Sequence, residues 1–364
     1  MGQRVRYLDN LRATATILLL PYHAARIFDW VPYYLKAARL DGFELFCRFV
    51  DVWFMPLFFV IAGAAASFSL RQRSATQFIF ERLQRLMPPF ILVGLFLMPL
   101  NGYFAYRHQK QAQLSFLQYL PTFLELDPKD LAGFNGGFAF GHLWFLLYLM
   151  AFSILMIVLR FCVFQPLSKQ LGKAPQSIIV MGFTLGVPLL LSAARSLRWA
   201  YPSLVYFAPF YGLGFVLFQT KSQRIVFQYF GPFLGGLGMI SMPIVLGLRF
   251  WQPELSGDIW YESLRSLNAF FWTIGLLYLG EKFFDRTSRI LDWVNQYGLS
   301  VYVLHIPIMT GIGYLTLPHI KNAFLAWLVI SLLSTIATLL GAVLVNQTWL
   351  NMRLWLAHQS RWYR

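Results

Sequence analysis

Charge is scarce in this 364-residue chain: Asp, Glu, Lys and Arg make up 12% of it, about half the share in ordinary soluble domains, while 58% is hydrophobic. That balance excludes a water-soluble globular domain and points to an integral membrane protein in a lipid bilayer. Acids are scarcer still, 15 against 30 Lys and Arg, for a formal net charge of +15. Binding to nucleic acid would need those cations clustered. They are scattered among the short connections between apolar runs, as the positive-inside rule expects, so no nucleic-acid partner is expected.

Cysteine is nearly absent. Cys47 and Cys162 are the only two; the expected topology puts them near opposite membrane surfaces, which rules out pairing, and two thiols make no metal site. No linker rich in Pro, Gly and Ser, acidic block, low-complexity tail or internal repeat divides the chain, which reads as a single transmembrane domain over 1–364. Also missing are a G-x-S-x-G elbow, a Walker loop, a dinucleotide fingerprint and any HxxxH or HExxH spacing. No spacing supports covalent serine catalysis, and no metal is expected.

What is present is a series of apolar windows long enough to cross a hydrocarbon layer of about 30 Å. They lie near 11–28, 46–70, 87–104, 141–164, 177–194, 203–219, 229–248, 266–284, 297–316 and 322–346. Placing the N-terminus in the cytoplasm puts more Lys and Arg inside than outside. The expected fold is therefore all-α: a polytopic bundle of about ten transmembrane helices with both termini cytoplasmic, multi-pass in the cell inner (plasma) membrane. Arg4, Arg6 and the following HAA resemble a signal peptide, but Pro21 and His23 would interrupt its core and similar runs continue to the C-terminus. The first run is expected to be a retained span.

Residues 105–140 form the longest connection, placed extracytoplasmically, and Leu117, Leu120, Pro121 and Leu124 suggest an amphipathic turn lying on the membrane. The outer connections also hold Asp29, Asp41, Glu44, Asp51, Glu125, Asp127, Asp130, Glu254, Asp258 and Glu262. With Trp251, Trp260 and Tyr261 these offer hydrogen bonds and aromatic contact to a polar ligand.

The first run, RATATILLLPYHAARIF, carries ionisable residues. Asp9 and Asn10 are its N-cap candidates, and Pro21 removes one helical donor and favours a kink. On a helix the step from Arg12 to His23 is a rise of about 16 Å and returns to within about 20° of its start, with Thr16 and Arg26 within about 40° of the same line. The four form a polar stripe in an apolar segment, and charge in lipid usually faces protein or a water-filled path.

Three further features carry chemistry. ERLQRLMPPF sets Arg82 and Arg85 one turn apart, a spacing at which two guanidinium forks can face one anion. GHLWFLLYLM brings His142 into the fourth span, and YGLSVYVLHIPI buries His305 one turn after Tyr302. Histidine is the side chain best suited to remove a hydroxyl proton near neutral pH. A phosphate-binding cluster and a deeper base suit moving a group from a phosphorylated cytosolic carrier to an outside acceptor. They equally suit a transporter or flippase for a glycan or lipid-linked precursor, with His23 as a proton site.

At these residues the chain resembles the acyltransferase-3 family of membrane proteins, over nearly its whole length. YLDNLRATATILLLPYHA is similar to the family's first span, with the Arg/Lys-x10-His motif at Arg12 and His23. FFVIAGA resembles the FFxxSGF segment, ERLQRLMPP carries Arg-x-x-Arg at Arg82 and Arg85, GHLWFLLYLM resembles the His-Leu-Trp-Phe-Leu stretch, and LSVYVLHIPI the late Tyr-x-x-His span. Ala62 departs from the pattern, standing where the family usually has Ser. The resemblance implies an O-acyltransferase that moves acetyl or succinyl groups from cytosolic acyl-CoA to a carbohydrate or other cell-envelope acceptor. It implies that Arg12, Arg82 and Arg85 hold the CoA donor, that His23 is the general base, and that His142 and His305 orient substrate or support the catalytic site. A homo-oligomer is left open.

Overall fold

The apolar runs fold as α-helices, and among the described residues there is no strand. The computed structural model describes residues 5–160, 186, 204–218 and 221–362, apart from 112, 126, 128, 129, 131, 256 and 257, with the backbone alone at 221–226 and 348–362. In chain order the helices are α1 (Arg6–Ala25), α2 (Asp41–Leu70), α3 (Ala75–Leu92), α4 (Met98–Lys110), α5 (Phe116–Leu124) and α6 (Trp144–Leu159). They continue as α7 (Leu204–Leu217), α8 (Lys221–Trp251), α9 (Ile259–Phe283), α10 (Arg289–Thr316) and α11 (Ala323–Trp362).

Among the described residues six helical stretches are long and apolar enough to cross a membrane: Asp41–Leu70, Ala75–Lys110, Gly141–Leu159, Phe227–Trp251, Arg289–Thr316 and Ala323–Gln347. The windows at 11–28 and 266–284 are helical, as α1 and α9, but stand outside this set. The window at 203–219 holds the shorter apolar helix Leu204–Leu217. The window at 177–194, apart from residue 186, and Cys162 lie outside the described residues, and Cys47 is buried in α2.

Local sequence sets several helix ends. Ser74 and Gln77 exchange side-chain and backbone hydrogen bonds in a capping box before α3. Ser115 and Gln118 do the same before α5. Asp258 and Ser288 cap α9 and α10. The start of α1 differs from the sequence expectation. The helix begins at Arg6, so Asp9 and Asn10 lie inside it and neither is its N-cap. Asp9 instead pairs with Arg12 at 2.9 Å. The Asn10 amide donates to the carbonyls of Phe284 and Arg286 at 2.6 and 2.8 Å, closing the C-terminal end of α9. Residues 105–110 likewise belong to α4 and not to the connection that follows it. Pro88, Pro89 and Pro99 withhold ladder donors around a single π turn at Val93–Leu97, where the Met98 N–H reaches the Val93 carbonyl.

The chain divides into two compact units. The first contains Met1–Arg12, Leu45–Met87 and Trp144–Thr287. Its α2 and α7 meet backbone to backbone. A Cβ at Gly63 would overlap the Tyr211 carbonyl, and one at Gly214 would overlap that of Val60. Small residues permit this approach where apolar helices gain little from mutual burial in lipid. Beside it, Phe59 packs on Phe145 and Phe207 at 4.9 Å between ring centres, so the FFVIAGA and HLWFLLYLM segments share one aromatic core.

The second unit contains Ala13–Glu44, Pro88–Leu143 and Ser288–Arg364. Its α4 runs beside α10 in the same sense: Phe104 lies against Gly311, and Arg107 lies over the Tyr314 ring at 5.6 Å. Ala24, Ile27, Tyr33, Ala105, Ile306 and Met309 are buried together in its core. α5 buries Tyr119 and Phe123 and leaves Leu117 and Leu124 exposed, which gives the expected amphipathic turn two unlike faces.

Candidate functional site

The three histidines singled out in the sequence come together inside the second unit. The rings of His23 and His142 each lie 5.0 Å from that of His305, measured between centres. His305 is fully buried, His142 is buried, and His23 is only partly so.

Proline chemistry orients His142. In a regular helix the Val303 carbonyl of α10 would accept the N–H of residue 307, but residue 307 is proline and has none. The His142 ring supplies the missing donor, Nε2–H to Val303 O at 3.0 Å. His142 reaches it from a short 3-10 turn, Gly141–Leu143, whose first residue has φ +49. A side chain at Gly141 would be strained there and would also collide with Met98 and the Tyr34 hydroxyl. The Tyr302 hydroxyl donates to the His142 carbonyl. His305 donates from Nδ1 to the Tyr302 carbonyl at 2.5 Å. These bonds fix both tautomers. His142 Nδ1 and His305 Nε2 are left as lone pairs with no protein partner among the described residues.

His23 is oriented by a different segment. The Tyr33 hydroxyl lies 3.0 Å from its Nδ1. Tyr33 belongs to the strap 26–40, which leads from α1 to α2. An ionic cluster folds this strap. Asp29, fully buried, pairs with Arg26 at 2.7 Å and with Lys36 at 2.8 Å. Lys36 Nζ also donates to the carbonyls of Arg26 and Asp29 at 2.8 and 2.6 Å. Burial pushes the Asp29 carboxyl up and the Lys36 ammonium down from their ordinary pKa values, and their mutual contact opposes both shifts. From α4, Gln109 donates to the carbonyls of Tyr33 and Tyr34, and His108 bonds the backbone of Lys36.

The guanidinium groups expected to bind an anion are in the first unit. Arg82 and Arg85 stand one turn apart on α3, with Arg82 over the Phe78 ring at 5.0 Å. Arg85 feels the charges of both Arg12 and Arg82, so the three cations share one neighbourhood.

Several acids expected to meet a ligand are used internally. Glu44 accepts from the Trp30 N–H, Asp130 from the N–H groups of Phe134 and Asn135, and Asp258 caps α9. Trp251 and Trp260 are exposed as expected, while Tyr261 is buried. Sequence reading missed Tyr33, whose approach to His23 depends on the path of the strap. It also passed over Asn101, although a lone amide inside an apolar window is a recognisable signal, because its polar atoms need partners.

The family described as an acyltransferase domain matches residues 5–347. Curated relatives similar to the chain include glucans biosynthesis protein C of Salmonella paratyphi B and the proteins of the same name from Salmonella enteritidis and Salmonella agona. Each is 23% identical over 351 residues, covering 89% of this chain and 87% of the relative. No solved structure matches the chain.

Proposed function

Because the chain belongs to the acyltransferase-3 family and is a membrane acyltransferase, we propose that it moves an acetyl or succinyl group from cytosolic acyl-CoA to a hydroxyl of an extracytoplasmic glycan. The relatives' name, which refers to glucan biosynthesis, supports a carbohydrate acceptor. Arg12, Arg82 and Arg85 bind the phosphates of the donor, for which bidentate guanidinium forks are suited.

His23 is the general base. With Nδ1–H donated to the Tyr33 oxygen, Nε2 carries the lone pair that removes the acceptor's hydroxyl proton. The acceptor oxygen then bonds to the thioester carbonyl carbon, the C–S bond breaks, and the CoA thiolate leaves with the proton held by His23. His305 and His142 back the reacting imidazole. The observation that carries this reading is the graded burial of the trio: His23 alone is partly exposed, and the two buried rings behind it are fixed by backbone carbonyls.

The test is purified protein supplied with labelled acetyl-CoA or succinyl-CoA and a glucan. Label is expected in the glycan, and His23→Ala is expected to reduce transfer by about 10²- to 10⁴-fold, the usual contribution of a general base. Unchanged transfer in that variant would remove the proposed base. Accumulation of unmodified glycan or lipid-linked precursor in vesicles without acyl-CoA would instead support transport.

A further inference from the structure

The mechanism above names a base and a donor site but nothing that holds the glycan acceptor. A sugar ring offers a protein an apolar C–H face, which packs on aromatic rings, and hydroxyls, which both donate and accept hydrogen bonds. The connection before α6 carries one side chain suited to each, beside the tyrosine that supports His23.

Phe134 packs on both tyrosines of the strap, 5.7 Å from Tyr33 and 5.1 Å from Tyr34 between ring centres. Tyr33 in turn stacks on the His23 imidazole, at 6.1 Å and an interplanar angle of 15°, in addition to the bond at Nδ1. Two successive ring contacts therefore join Phe134 to the proposed base. Both tyrosines are buried, whereas Phe134 is only partly so. Asn135 follows it and is exposed, and its side-chain amide has no hydrogen-bond partner among the described residues.

The backbone beneath this pair is fixed from two sides. The buried carboxylate of Asp130 accepts the N–H groups of Phe134 and Asn135 at 2.9 and 2.6 Å. Gly136, at φ +92, accepts the Tyr119 hydroxyl on its carbonyl, and a Cβ there would collide with the Gly102 carbonyl and with Tyr106. A loop held in one conformation beforehand loses less entropy when a ligand binds it. Packing on the strap accounts for one side of the Phe134 ring. The amide beside it adds no hydrogen bond to the fold.

We propose that Phe134 and Asn135 form the acceptor subsite for the glycan, a reading that rests on the acyltransferase mechanism above. One sugar ring lays its C–H face on Phe134 and hydrogen-bonds the Asn135 amide, while a hydroxyl farther along the same glycan reaches Nε2 of His23. Such contacts are alike in the bound substrate and in the transition state, so they lower acceptor KM and leave kcat alone.

Asn135→Ala removes an exposed amide, Phe134→Leu removes the aromatic face, and Phe134→Trp restores one. The assay uses full-length protein in detergent, a short glucose oligosaccharide as acceptor, and labelled acetyl-CoA or succinyl-CoA as donor. Acceptor KM is expected to rise about two- to twelvefold in Asn135→Ala and in Phe134→Leu, with donor KM constant, kcat at saturating acceptor little changed, and KM recovered in Phe134→Trp. Calorimetric binding of the same oligosaccharide without donor is expected to weaken by the same factor. An unchanged acceptor KM in either variant overturns the assignment. So does a lower kcat at constant acceptor KM, which would mean that the turn acts only through Tyr33 and His23, and so does wild-type protein that binds no oligosaccharide. The two readings fail separately: an oligosaccharide that binds but is never acylated removes the mechanism and leaves the subsite, while acyl transfer at equal acceptor KM in all variants removes the subsite alone.

Discussion

The hydroxyl of Tyr33 lies 3.0 Å from Nδ1 of His23, ten residues earlier in the chain. In the proposed mechanism Nδ1 donates its proton to the Tyr33 oxygen, which leaves Nε2 as the base. Tyr33→Phe keeps the ring and deletes the oxygen. A hydrogen bond of this kind contributes about 0.5 to 1.5 kcal/mol, so turnover is expected to fall by about two- to twelvefold. Donor KM should stay constant in steady-state assays. An unchanged kcat would show that His23 needs no such support.

Pro307 matters through what it withholds. In Pro307→Ala the restored N–H satisfies the Val303 carbonyl and competes with His142 Nε2. Proline costs about 3 kcal/mol relative to alanine in a helix interior, so thermal unfolding should shift upward while transfer activity falls. A variant that is more stable and equally active would separate His142 from the chemistry.

The strap 26–40 depends on Asp29. Its carboxylate faces Arg26 and Lys36, and its side chain has no exposed surface. Asp29→Ala leaves two cations facing each other. Breaking a buried pair in this way costs about 3 to 5 kcal/mol. Lower thermal stability and proteolytic cleavage near residues 26–40 are expected, and intact resistance to protease would show that the strap is held by its aromatic contacts instead.

Arg82→Ala and Arg85→Ala test the donor site apart from the chemistry. Each charge-assisted phosphate contact is worth about 1.5 to 3 kcal/mol, so acyl-CoA affinity should fall at least about tenfold per variant, with a deeper loss in the double variant. Equilibrium binding of CoA measures this directly. Equal affinity in all three proteins would move the donor elsewhere.

Gly63 tests the packing of α2. The Cβ of Gly63→Ala would meet the backbone of Tyr211, which cannot move aside like a flexible side chain. Overpacking of this sort costs about 1 to 3 kcal/mol. A lower Tm is expected, and an unaffected one would mean that α2 and α7 separate without penalty.

The sequence by itself determined what depends on local chemistry and periodicity. Its hydrophobic content specified a helical membrane protein, because only internally bonded backbone is stable in lipid without a closed barrel. The eleven-residue step from Arg12 to His23 put both on one helix face, and the motif residues Arg82, Arg85, His142 and His305 were legible from their immediate neighbours. Asn10 shows where that reading stops. An N-cap residue type in a plausible position caps the far end of α9 instead, because its partners, Phe284 and Arg286, arrive from more than 270 residues away. The acids Asp29, Glu44 and Asp130 looked available for a ligand, and only the folded path of the chain shows them satisfied by their own backbone and cations.

Only the tertiary structure decided that His23, His142 and His305 share one cluster, that Tyr33 faces the first of them, and that Pro307 hands its vacated carbonyl to the second. It likewise separated Asn101, a buried amide without a hydrogen-bond partner among the described residues, from the many polar side chains that have one. The physical reason is the same in each case. Periodicity tells which face of a helix a residue occupies, but hydrogen-bond partners are set by which helices lie side by side and at what height, and that follows from long-range packing.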